Sequence, residues 1–133
     1  MADVFHYYGS DLSVSPSGDL ALASGSTMGT QRVYRRLLTN PALNDAAGNS
    51  VASADYMSHP EYGAGLPRKV GSPGNAAAIR SLIKGQMLLE DAVARTPAPR
   101  VTLTENDTTV SAVVSYADAN TAQQQFLEFD INK

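Results

Sequence analysis

The apolar residues of this chain change their period once, and that change limits what it can fold into. Ile79, Leu82, Ile83, Met87, Leu89 and Val93 follow one another mainly at intervals of three and four, whereas from Val101 onward the interval is two. The first pattern is the buried stripe of a helix and the second is the alternating face of strands, so the second half must pack a helix against a sheet. Ser72-Pro73 supplies a cap and a proline suited to the first helical position, which predicts a helix of about five turns at ~3.6 residues each, ending before Pro97. Gly85 inside that helix costs ~1 kcal/mol against alanine, which points to another element approaching closely there. Val101 and Leu103, then Val110, Ala112, Val114 and Tyr116, then Leu127, Phe129 and Ile131 mark three strands, with Glu105-Asn106-Asp107 turning the first into the second as a hairpin. Glu128 and Asp130 point away from the apolar face of the last strand, as charges on a sheet edge do.

The first half is punctuated differently. Leu12 and Val14 alternate with polar residues, Ser15-Pro16-Ser17-Gly18 fits a type I turn, and Leu20 and Leu22 resume the alternation, which predicts a short β-hairpin. Ser24-Gly25-Ser26-Thr27 offers helix caps, and Val33, Tyr34, Leu37 and Leu38 then share one helical face until Pro41 disfavours helix in the residue before it. From Pro41 to Val70 no period is sustained, so this stretch reads as a long connection. Its part from Ala42 to Ser53 is small and polar, and residues 41–58 are expected as a mobile insertion, whereas Tyr56, Met57, His59, Tyr62 and Leu66 have the bulk to anchor the rest.

Composition excludes some classes of function. The 133 residues suffice for one domain with a real core. A net charge of −3 without a clustered basic face argues against nucleic acid as the main partner, and Lys133 is the only base after Arg100. With no cysteine there is no disulfide and no thiolate chemistry, which suits folding in a reducing cytoplasm. The N-terminus lacks a signal-peptide pattern, and no apolar run approaches the ~20 residues of a membrane span, so a soluble protein without a membrane partner is expected.

No catalytic constellation stands out. Glycoside hydrolysis needs two carboxylates ~5 to 9.5 Å apart, and of the available Glu61, Glu90, Asp91 and Glu105, the adjacent Glu90 and Asp91 diverge by ~100° on a helix. Ser24-Gly25-Ser26 is not a nucleophile elbow, and His6 and His59 lie too far apart in sequence for a metal motif. Gly63-Ala64-Gly65 has neither the preceding strand nor the following lysine of a phosphate loop and reads as a tight turn. Arg32, Arg35 and Arg36 crowd one side of the first helix, with water as their default partner and an acidic surface as the alternative. Pro99 fixes the chain direction ahead of Arg100, so that Arg100 can clamp its own domain or reach a partner.

In order along the chain, Ser10-Asp11-Leu12, Ser17-Gly18-Asp19-Leu20-Ala21, Gln31-Arg32, Arg36-Leu37-Leu38-Thr39, His59-Pro60-Glu61-Tyr62-Gly63, Ile79, Pro99-Arg100-Val101 and Val114-Ser115-Tyr116 resemble the baseplate assembly protein W family of phage tails, which includes the sheath initiators. Two features depart from the family pattern: its frequent Glu-Pro-Arg triplet is Ala98-Pro99-Arg100 here, and the stretch from Pro41 to Met57 is longer than usual.

The resemblance implies a structural protein without catalytic, cofactor-binding or metal-binding residues. It would be present as six copies in a ring at the virion tail baseplate, be assembled in the host cytoplasm, and contact tail sheath protein, other wedge proteins and the tail tube. The fold expected from the residues is one α+β domain over residues 1–133, with an N-terminal β-hairpin, two main helices, and a C-terminal three-stranded, mainly antiparallel sheet packed on the second helix. Its candidate partner-binding residues are His59, Pro60, Tyr62, Pro99, Arg100, Arg32 and Arg36, with Leu127, Phe129 and Ile131 forming an edge that accepts strands from neighbouring subunits. The alternatives are a tail-associated, lysozyme-like glycosidase, or the equivalent adaptor of a tailocin or secretion-system baseplate.

Overall fold

A computed structural model describes residues 1–6, 10–69 and 76–131. In chain order the elements are β1 (Asp3–Val4), β2 (Leu22–Ala23), α1 (Gly25–Leu38), β3 (Leu43–Asn44), β4 (Ser50–Ala52), a 3-10 turn (Leu66–Lys69), α2 (Ala76–Met87), β5 (Arg100–Glu105), β6 (Val110–Ala117) and β7 (Gln124–Asp130). The α+β class and the C-terminal antiparallel sheet, in the order β5-β6-β7, are as the apolar periods imply.

Register explains the core. The rows Val101–Val114–Leu127 and Leu103–Ala112–Phe129 point to one face of the sheet. Val114 and Ala112 are fully buried there beneath Val33 and Leu37 of α1 and Ile83 and Met87 of α2, the larger of which each contribute roughly 1.5–3 kcal/mol by burial. The second helix packs against β5, as expected, and α1 lies over β7, where Tyr34 meets Phe129 edge-on at 5.6 Å. Helix α1 also approaches the segment after α2 closely, since a Cβ on Gly29 would stand 2.7 Å from that of Ala92.

Three expectations need correction. The second helix ends at Met87, well short of Pro97. The chain beyond it is drawn onto the end of β6, with Ala94 donating to Ala117 O at 2.9 Å and Ala119 donating to Ala92 O at 2.9 Å, so Val93 is buried as part of an extended bridge to Asp118. Among the described residues nothing outside its own helix lies within 4 Å of where a Gly85 Cβ would be, so none of them makes the expected close approach. Residues 41–58 contain the β3–β4 hairpin, whose turn is closed by the Asp45 carboxylate accepting from Ala47 N and Asn49 N at 2.9 and 2.8 Å. The N-terminal hairpin is present as expected, with Gly18 N donating to Ser15 O at 2.9 Å, Ala21 N to Ser13 O at 2.8 Å and Val14 bridging Leu20, and beyond it β2 also pairs with β1. The proposed cap at Ser72-Pro73 lies outside the described residues.

Candidate functional site: an open sheet edge and its groove

Strand β7 ends the sheet, so one side of its backbone has no strand partner among the described residues. Its inward amides are identified by Ile131 N donating to Val110 O at 2.8 Å; by alternation, the amides of Phe126 and Glu128 point outward, away from β6. A groove of about 480 Å³ runs beside this edge. It is lined by Leu127, Gln125 and Glu128 of β7, by Thr27, Thr30, Gln31, Tyr34 and Arg35 of α1, and by Phe5 and His6.

The N-terminal arm that supplies Phe5 and His6 is strapped to α1. Gln31 donates to Val4 O at 2.8 Å and accepts from His6 N at 3.1 Å, and Asp3 takes Arg32 at 3.4 Å and Arg35 at 3.7 Å. The Tyr116 hydroxyl meets Thr30 Oγ1 at 3.1 Å, and burial pushes its pKa up, keeping the phenol neutral. The groove thus combines an apolar floor with amide, hydroxyl and guanidinium groups on its rim. An extended peptide requires this combination: main-chain bonding along one side and shallow pockets for alternate side chains.

The candidate residues fall into separate places. Leu127 is half-buried and lines the groove, but Phe129 and Ile131 are 6% and 4% exposed and face the core, and their backbone groups point toward β6, so neither offers a partner its side chain or its amide; the outward groups of this edge belong to Phe126 and Glu128. The arginines of α1 do not follow their solvent default. Arg32 joins Asp3, while Arg36 pairs with Glu90, accepts no water-facing role, and lies 4.3 Å over the Tyr62 ring. His59 and Pro60 are exposed on a separate loop, where Tyr56 stacks edge-on against both His59 and Tyr62 at 5.1 and 6.0 Å. Tyr62 and Tyr56 with Arg35, Thr39 and Asp55 line a second cleft of about 370 Å³. Pro99 is buried and Arg100 is exposed on β5, at the opposite edge of the sheet, making no ion pair among the described residues.

The Gly63-Ala64-Gly65 turn has a structural task. Ala64 N donates to Arg36 O and Gly65 N to Thr39 O, both at 2.9 Å, which satisfies carbonyls at the end of α1 that the helix leaves unpaired. Gly63 has φ +111 and a Cβ there would stand 2.1 Å from Thr39 O, so no other residue fits. Arg68 carried no signal in the sequence, yet it donates to Pro41 O at 2.5 Å and Ser53 O at 2.6 Å, tying the base of the β3–β4 hairpin to the body. A lone arginine in an aperiodic stretch gives no hint of backbone carbonyls brought near it by tertiary folding.

Of the carboxylates weighed for glycoside chemistry, Glu90 is committed to Arg36, and the Glu61 side chain is 78% exposed, 3.9 Å from His59. Among the described residues no cluster of three or more His, Asp or Glu side chains is placed to hold a metal ion, and no helix is long and apolar enough to cross a membrane. In comparisons with protein-family models, curated proteins and solved structures, the chain matches none of them.

Proposed function

We propose that this chain is a structural component of a phage tail baseplate, arranged as six copies around the tail tube, that starts sheath assembly by taking an extended segment of a neighbouring subunit onto β7. The observation that carries this reading is the outward amide row of β7 beside a groove of about 480 Å³ with a largely apolar lining, which suits side chains of an added strand. The resemblance of the ordered sequence segments to the baseplate assembly protein W family supports the biological setting, and the α+β fold with its open-edged sheet is compatible with it. In a ring, one such contact per subunit need be only modest, because closure adds avidity.

Truncation after Thr121 is a poor test, because it removes the buried Phe129 and Ile131 and with them the core. Glu128→Pro is better: it deletes an amide that faces outward and breaks no bond of the β6–β7 ladder, a place where edge strands accept proline. The variant should fold with an unchanged circular dichroism spectrum. Particles assembled with it should show tube and baseplate but no sheath by electron microscopy, and normal sheathed tails would refute the strand-acceptor role.

A further inference from the structure

The N-terminal hairpin is amphipathic in the wrong direction for a lone chain. Val14 and Leu20 are cross-strand partners and so share a face, and Leu12 and Leu22 lie two residues from them on that same face. All four are exposed, at 54% for Leu12, 68% for Val14, 49% for Leu20 and 66% for Leu22. The opposite face, which turns toward the body, carries Ser13, Ser15, Ala21 and Ala23. Four aliphatic side chains gathered on one outward face form a patch of the kind that marks an interaction surface.

Charge identifies its occupant. Asp11 and Asp19 flank the patch, both exposed and in no ion pair among the described residues, and residues 1–31 contain no Lys or Arg. The outer side of α2 is the complement: Arg80 and Lys84 are exposed one turn apart, the helix has no acidic residue, and neither base makes an ion pair among the described residues. Exposed Ser81 and Gly85 lie between and beside them, with open space over Gly85. We propose that the Leu12–Leu22 face of one copy docks on the Arg80–Lys84 side of α2 in a second copy. The aliphatic side chains lie over the low surface at Ser81 and Gly85 while Asp11 and Asp19 meet the two bases. Two different patches make a head-to-tail contact, which closes into a ring or runs on as a filament. The contact uses neither the β7 edge nor its groove, so it stands apart from the strand-acceptor reading, and Glu128→Pro leaves it intact.

The absence of cysteine makes the test direct. Leu20→Cys and Ser81→Cys chains, each exposed at the substituted position, are purified separately, mixed and oxidised. The expected product is the mixed disulfide dimer, and either a dominant Leu20→Cys homodimer or no cross-link at all overturns the proposal. In sedimentation equilibrium the wild-type chain should gain mass with concentration, and do so less at high salt. The pair Asp11→Lys and Asp19→Lys should weaken association about tenfold, and adding Arg80→Glu and Lys84→Glu to the same chain should restore it. A wild-type chain that stays monomeric, or charge reversals that leave association unchanged or unrecovered, would equally reject it.

Discussion

Arg36 of α1 and Glu90, just beyond α2, form an ion pair whose side chains are only 15% and 12% exposed, with the Tyr62 ring 4.3 Å from the guanidinium. This one contact joins the two helices and the His59–Gly63 loop, while Gln86 adds a bond to Arg36 at 3.3 Å. Removing either charge leaves the other stranded where water barely reaches. Glu90→Ala should therefore cost about 3 kcal/mol in chemical denaturation, whereas the apolar double variant Arg36→Met with Glu90→Leu should come within about 1 kcal/mol of wild type. A single variant as stable as wild type would show that the pair is solvated in solution.

Two glycines make opposite predictions. Gly63→Ala places a methyl against Thr39 O at a positive φ and should destabilise by more than about 2 kcal/mol, loosening the end of α1. Gly85→Ala meets open space within α2 and should stabilise the isolated chain by up to about 1 kcal/mol. Thermal unfolding of the two variants beside wild type measures both.

Asp118 sets the acid limit. It is 1% exposed, and burial alone would raise its pKa, but Asn120 N and Thr121 N donate to its carboxylate at 2.8 and 3.1 Å, and together with Ser26 they hold it below the ordinary 3.8. A folded-state pKa below the unfolded one stabilises the fold above pH 3.8, and this contribution is lost as the pH falls through the folded value. Asp118→Ala should lose about 1–3 kcal/mol at pH 7 and show a flatter decline in stability below pH 4 than wild type, read from denaturation midpoints across pH.

Ser24 occupies the N-cap of α1 but makes no side-chain capping bond. Ser24→Ala should then change stability by less than about 0.5 kcal/mol, where a working cap is worth ~1. A larger loss in urea titration would show that the hydroxyl bonds to the helix in solution.

Arg68→Ala should act locally. Losing its bonds to Pro41 O and Ser53 O frees the base of the β3–β4 hairpin, so amide hydrogen exchange should accelerate around residues 43–52, by about tenfold for a contact near 1.5 kcal/mol, with the core strands unaffected. Uniform acceleration across the chain would mean that the hairpin is part of the global folding unit.

The sequence by itself determined the elements whose signals are local. Alternation from Val101 to Ile131 specified three strands and the face each buries, the spacing of Val33 and Leu37 specified α1, and Pro41 specified where it stops. Only the tertiary structure decided where α2 ends, because Leu89 and Val93 keep a helical spacing that pairing with Ala117 and Ala119 overrides. It also decided that Arg36 meets Glu90 across 54 residues, that Arg68 meets two carbonyls, and that Phe126 and Glu128, not Phe129 and Ile131, turn their amides to the open edge. Periodicity reports which side of an element is buried. It carries no information on what lies opposite, and the groove beside β7 exists only because α1 and the N-terminal arm are brought to that edge.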